Sequence, residues 1–260
     1  MELRRQIITR YIMPMREGGS LPALVEADDG YKYVVKLRGS GHGAKSLIAE
    51  LIGGEIAREL GLRVPELVFL DLPSEYGITE SDPEVQDLLK NSEGLNLGLH
   101  FLSSALALDP YDNPADALEA SKIVWLDALL TNVDRTVRNT NMLHWHNREL
   151  WLIDHGASLY FQHSDTDPEK AAMTPFPYIK DHLFLRKATR LTEVDADFSR
   201  RLTSETIDAV VDLIPDEWLI EPENGISADE RRGIYRTFLK TRVANSKIFT
   251  DHAIQARASL

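Results

Sequence analysis

The chain has 260 residues, 43% of them hydrophobic and 27% charged, which is enough for one large domain or for two lobes sharing a cleft. It contains no cysteine, so disulfides and thiolate chemistry are excluded, as suits a cytoplasmic protein. No apolar run approaches the ~20 residues that span a bilayer. The N-terminal MELRRQIITRYIM lacks an apolar signal core, and a formal net charge of -12 opposes direct binding to nucleic acid.

The predicted elements begin with three short antiparallel strands. Gln6 to Ile12 forms the body of the first, and Glu17-Gly18-Gly19-Ser20 reads as a turn. Leu24-Val25-Glu26 is the second strand, Asp28-Asp29-Gly30 a tight turn, and Tyr31 to Leu37 the third strand. On the third strand Tyr31, Tyr33, Val35 and Leu37 share one face, and Lys32, Val34 and Lys36 the other. The loop Gly39-Ser40-Gly41-His42-Gly43-Ala44-Lys45-Ser46 misses the phosphate-binding pattern G-x-x-x-x-G-K-[ST] at one position, where Ala44 replaces the second glycine. It reads as a mobile lid whose Gly39, Gly41 and Gly43 backbone approaches phosphates, in preference to a true P-loop nucleotidase, with a plain flexible linker as the competing reading.

A helix follows from Ser46 to Leu60, with Leu47, Ile48, Leu51, Ile52, Ile56 and Leu60 at helical spacing; Gly61 ends it and Pro65 lies just beyond. Glu66 to Leu72 is a strand. The acidic stretch from Pro73 to Gly94 holds a short helix at Glu84 to Asn91, and Leu95 to Ser103 reads as a strand running into a hinge. Asn113 caps a long amphipathic helix from Pro114 to Thr131.

That helix delivers the chain to the polar loop TNVDRTVRNTN. A hairpin follows, MLHWH and LWLID joined at Asn147-Arg148-Glu149. Asp134, Asn139 and Asp154 therefore stand at the ends of apolar segments. Antiparallel strands are ~5 Å apart, so the loop before the hairpin and its last residue meet. An aspartate, an asparagine five residues on and a second aspartate after a hairpin follow the logic of a kinase catalytic loop. Asp134 would act as base, and Asn139 and Asp154 as hard oxygen ligands for magnesium. The competing reading is a loop of ordinary turn formers, and Asn141 reads as a turn-stabilising amide. His144, His146 and His155 suggest zinc, but without a closed ligand set they read as structural.

The string D-R-T-x-R-N-x-N-x-L followed by W-L-I-D-H-G resembles the HipA-like kinase families, specifically over Asn132 to Gly156 and more weakly back to Val34. The His-Arg-Asp and Asp-Phe-Gly of ordinary protein kinases are replaced by Asn132-Val133-Asp134 and Asp154-His155-Gly156. The resemblance implies an α+β, two-lobed protein-kinase-like fold. A small antiparallel-sheet lobe with one helix would cover residues 1–95, and a mainly helical lobe with the catalytic loop and metal hairpin residues 96–260. It implies that Lys36 contacts nucleotide phosphates. The match of Ala49-Glu50 and of Ile56 to Pro65 to the family pattern selects Glu50 over Glu55 as its partner.

ATP and Mg2+ are the implied cofactors. The implied reaction is transfer of the γ-phosphate to a hydroxyl, with a protein Ser/Thr favoured and a small-molecule acceptor as the alternative. A non-catalytic pseudokinase-type binding module is the rival of another class. Hinge amides would receive adenine, and Arg135 and Arg138 would neutralise loop carboxylates or touch phosphate. Phe161 to Thr189 corresponds by position to an activation segment, with Ser164, Thr166 and Thr174 as candidate phosphate acceptors. The remainder reads as helices at Asp195 to Leu202, Ser204 to Asp212, Glu217 to Leu219 and Ala228 to Ala256. The last of these starts at Ser227-Ala228-Asp229-Glu230 and buries Ile234, Phe238 and Val243.

Overall fold

The computed structural model describes the chain except for residues 16–20, 42, 80–81, 113–114, 147, 165 and 221–224, and the side chains of residues 78 and 79. The turn expected at Glu17 to Ser20, His42 of the lid, the cap at Asn113 with Pro114, and Asn147 of the hairpin lie outside the described residues.

The three expected strands form, as β1 (Arg5–Pro14), β2 (Ala23–Ala27) and β3 (Lys32–Lys36), followed by helix α1 (Gly43–Glu59) and β4 (Leu67–Leu72). Two short helices, α2 (Glu75–Thr79) and α3 (Pro83–Lys90), lead to β5 (Gly94–His100). Strand alternation puts Ala23, Val25, Tyr33, Val35, Val68 and Leu70 inside, and the sheet closes into a barrel in the order β1-β2-β3-β5-β4. The closing pair, β1 with β4, is parallel through Gln6 and Leu70, whereas every other pair is antiparallel. A parallel neighbour needs a long crossover, and α1 is part of it. α1 begins three residues before the expected Ser46. It ends at Gly61, whose φ of +79° continues the chain in the left-handed region while Leu62 N–H caps Ala57 O at 2.9 Å.

A second sheet is built from β6 (Leu106–Ala107), β7 (Met142–Trp145) and β8 (Glu149–Leu152), in that order. Between β6 and β7 runs α4 (Ala117–Leu130), capped by Asp116, which accepts from Leu118 N and Glu119 N at 2.8 Å each. α4 therefore starts three residues later than expected. It is not amphipathic either: every residue from Ile123 to Leu130 is buried, because the helix threads the main core rather than covering it.

Around it lie α5 (Pro168–Ala172), α6 (Leu191–Arg201), α7 (Ser204–Val211), α8 (Asp216–Leu219), α9 (Ala228–Ala244) and α10 (Lys247–Ala258). The single helix expected over Ala228 to Ala256 is broken at Asn245-Ser246. There the Asn245 amide folds back on Thr241 O at 2.8 Å and competes with helix continuation. The Ser227–Glu230 capping box forms as read, but Ile234 is 36% exposed, and Tyr235, Phe238, Leu239 and Val243 make the buried stripe.

The barrel interior is narrow. At Gly98 on β5 a Cβ would sit 2.4 Å from Leu70 Cδ1, so any larger residue there forces that leucine to shift. Gly98→Val is expected to destabilise the fold by roughly 1–3 kcal/mol through overpacking, read as a lower midpoint in urea unfolding; an unchanged midpoint would show that the barrel wall yields.

Candidate active site

Lys36 ends β3 on the face opposite Tyr33 and Val35, which fill the barrel. Its Nζ donates to Glu50 Oε2 at 2.6 Å and to Asp154 Oδ1 at 2.6 Å. One ammonium thus joins the barrel, α1 and the residues after β8. Glu50 is fully buried, while 43% of the Asp154 side chain remains exposed. Burial alone would lower the Lys36 pKa; the Glu50 and Asp154 carboxylates outweigh it and hold the ammonium above its usual range. Burial likewise favours the neutral form of Glu50, but Lys36, and after it His155, bring its pKa to about 2. Glu55 is also buried on α1, but its contact is Arg58 at 3.5 Å.

Two backbone features seat Asp154. Its φ is +56°, in the left-handed region, a conformation that costs a non-glycine residue on the order of 1–3 kcal/mol. His155, next in the chain, is wholly buried against α1 at Gly53, where a Cβ would come within 2.6 Å of the His155 Cβ. The helix glycine lets α1 approach the chain just past Asp154, which keeps Glu50 and Asp154 on one ammonium.

The loop that carries Asp134 hangs from a buried carboxylate that the sequence reading did not identify. Asp127, in the last turn of α4, accepts from Asn132 Nδ2 at 2.9 Å, Arg135 Nε at 2.6 Å and His182 Nε2 at 2.9 Å. Because His182 Nδ1 accepts from Phe184 N at 3.0 Å, the imidazole is neutral with its proton on Nε2. Burial would raise the Asp127 pKa, but Arg135 and His182 drive it well below the carboxylate range. Arg135 also donates to the Asn141 carbonyl, so it braces the loop from beneath, fully buried and bonded to a helix carboxylate. Arg138 is exposed.

Held in this way, Asp134 faces the cleft. Its Oδ2 accepts from Asn139 Nδ2 at 2.7 Å and Asn141 Nδ2 at 3.3 Å. Burial, helped by the charge of Asp154 and opposed by these amides, leaves its pKa above the usual aspartate value. A cleft of about 400 Å³ is lined by Lys36, Ser40, Ser46, Asp134, Asp154 and Tyr160, among others. Asn139 is exposed and does not line it. Asn141 is only 8% exposed and stands beside the end of the β7–β8 hairpin, its carbonyl accepting from Ile153 N at 3.1 Å.

The glycine loop divides. Gly39 is tied to the end of α3, its N–H bonded to Ser92 Oγ at 2.9 Å; Gly41 has open space around it; Gly43 starts α1 with φ +59°. Among the described residues of this loop, Ser40 and Ser46 reach the cleft. The preceding strand is antiparallel to both neighbours, unlike the βαβ setting of a P-loop.

A family model described as HipA-like kinase matches residues 7–247 of the chain. No protein of curated function matches it in sequence. Among solved structures, the Helicobacter pylori proinflammatory kinase CtkA aligns with a TM-score of 0.57 at 17% identity, covering 98% of this chain and 99% of that one, a likeness of fold. The Golgi casein kinase aligns with a TM-score of 0.46 at 15% identity, over 99% of this chain and 72% of that one. Its form with Mn/ADP bound gives 0.46 at 14% identity, over 99% and 74%.

The pair at Lys36 has a pH signature. Glu50 has a folded pKa of about 2 against an ordinary 4.5. Its stabilising contribution is therefore complete above about 4.5 and is lost as pH falls toward 2. Glu50→Gln is expected to lower stability at neutral pH and to flatten the loss of stability between those two pH values. Urea unfolding across that range checks it, and parallel curves for both proteins would count against the assignment.

Proposed function

The chain belongs to the HipA-like kinase family, and we propose that it transfers the γ-phosphoryl group of ATP, taken as its magnesium complex, to a hydroxyl, with a protein Ser or Thr as the acceptor. Membership makes it a phosphotransferase of the kinase type. The observation that carries the finer reading is Lys36 bonded at once to Glu50 and Asp154, with Asp134 lining the same cleft.

The donor chemistry fits magnesium, which takes one or two carboxylates and completes its shell with phosphate and water. Among the described residues no three His, Cys, Asp or Glu side chains could hold a metal by themselves, so the phosphates are part of the proposed site. Bound there, the magnesium–nucleotide complex supplies the transferable phosphoryl group and offsets its negative charge. Asp154 is the proposed charged metal ligand, and Asn139 the amide ligand suggested by spacing. Asn141 competes for that place, because strand register puts its backbone one residue from Asp154.

Lys36 grips phosphate while Glu50 fixes its direction. The small lobe is taken to run from residue 1 to the end of β5, with Gly41 and Ser40 over the phosphates. Asp134 orients the acceptor hydroxyl and accepts its proton. A carboxylate pKa above the usual value suits that task.

Two outcomes test the division of roles. Asp154→Ala is expected to weaken Mg-ATP binding by on the order of tenfold or more. Asp134→Ala is expected to leave binding nearly intact and slow transfer by roughly 100-fold or more. Calorimetry and a phosphorylation assay on both variants decide it: equal loss of binding would erase the division, and no binding by the wild type would favour the non-catalytic module. The amide ligand is separable in the same way. Whichever of Asn139→Ala and Asn141→Ala raises the magnesium concentration needed for half-maximal ATP binding identifies the ligand, and the register argument expects Asn141.

A further inference from the structure

Most arginines of this acidic chain are neutralised in place. Arg4, Arg5, Arg10, Arg148, Arg190 and Arg236 each meet a carboxylate. A separate pocket of about 740 Å³ adjoins the catalytic loop two residues beyond Asp134 and departs from that pattern. Arg138 and Lys180 line it, are exposed, and have neither a carboxylate nor a side-chain hydrogen-bond acceptor among the described residues. Arg186, the third cation, gives one bond to the main-chain oxygen of Leu260 at 3.1 Å. Against these three stand the exposed carboxylate of Asp181 and the Leu260 oxygen that Arg186 already meets. Tyr111 and Val137, 89% and 51% exposed, add apolar surface to the rim.

We propose that this pocket docks an acidic segment of the protein that accepts phosphate. The inference deepens the kinase reading and rests on it for the identity of the acceptor. Three cations in a chain of net charge -12 form a local well in a field that repels acidic partners elsewhere, so they select where such a partner lands. The wall of the pocket is bonded to the catalytic loop: Leu183 N–H donates to Arg135 O at 3.1 Å, and Thr136 bridges to His182. Arg138 lies four residues from Asp134, at most roughly 14 Å along the backbone. An extended acceptor with its hydroxyl at Asp134 therefore brings acidic side chains within about four residues of it to Arg138.

A fluorescein-labelled glutamate-rich peptide tests this by anisotropy, with Mg-ATP binding measured on the same proteins by calorimetry. The wild type is expected to bind the peptide, more weakly as ionic strength rises. Arg138→Glu and Lys180→Glu are each expected to weaken it by roughly tenfold or more. Lys247→Glu, an equal charge change at an exposed site elsewhere, is expected to change it little. No peptide binding by the wild type, or equal loss in all three variants, overturns the docking site. Peptide binding without Mg-ATP binding leaves the docking surface standing and overturns the kinase reading; the reverse result overturns the docking surface alone.

Discussion

The structure depends on one ammonium shared by two carboxylates. Lys36, Glu50 and Asp154 come from a barrel strand, a buried helix and the chain after a hairpin. Desolvating such charges is costly, and the cost is offset only while the partners stay in contact. Removing Lys36 would leave Glu50 fully buried with the His155 ring, 3.7 Å away, as its remaining partner. The arrangement also sets the sign of the cleft. One cation faces Glu50, Asp154 and Asp134, so the site is negative before any ligand arrives. A polyanion is repelled from such a site unless it brings a compact divalent cation with it, which is a physical reason for coupling nucleotide to metal.

Holding three elements on one ammonium requires close backbone approach, and α1 provides it at a cost. Gly53 and Gly54 sit mid-helix, where each glycine is about 1 kcal/mol worse than alanine. Gly53 admits His155, and Gly54 admits Leu67 of β4, whose Cδ1 would lie 2.7 Å from a Cβ there. The other anchor is Asp127. By binding residues on both sides of Asp134, and His182 from the segment beyond, it converts a loop of turn-forming residues into one fixed conformation. Thr131, Asn141 and Asp154 all hold left-handed φ angles at the ends of α4, the loop and β8. Local strain of this kind persists where the surroundings over-determine it.

What could be read from the sequence follows from what periodicity encodes. Alternation identified the first three strands and the face that carries Lys36. It says nothing of which strand is the neighbour, so the parallel β1–β4 closure was not legible. The apolar run in α4 was read as an amphipathic stripe because a short helix buried on every side has no polar face to contrast with. Glu50 and Glu55 are both buried on α1, so helical spacing alone could not choose between them; the family pattern did. Asp127 had a signal that went unused. A carboxylate inside WLDALL must be paired if that helix is buried, and Arg135, one position beyond Asp134, was the available cation.

The two asparagines show where motif spacing stops being informative. A count of five from Asp134 measures contour length, and a loop can place equal contour lengths in different directions. Register is a stronger constraint: Met142 is paired with Leu152, so the residue before β7 must lie beside the residues after β8. Asn141 inherits that position whatever the loop does, and its φ of +47° turns the chain there. Asn139 reaches the site only through its hydrogen bond to Asp134. The same amide cannot turn its nitrogen to Asp134 and also present that nitrogen to a metal. A ligand role for either residue therefore uses the amide oxygen, with the nitrogen left on Asp134. Either asparagine would then couple the orientation of Asp134 to that of the ligand, so that the two would be positioned together rather than independently.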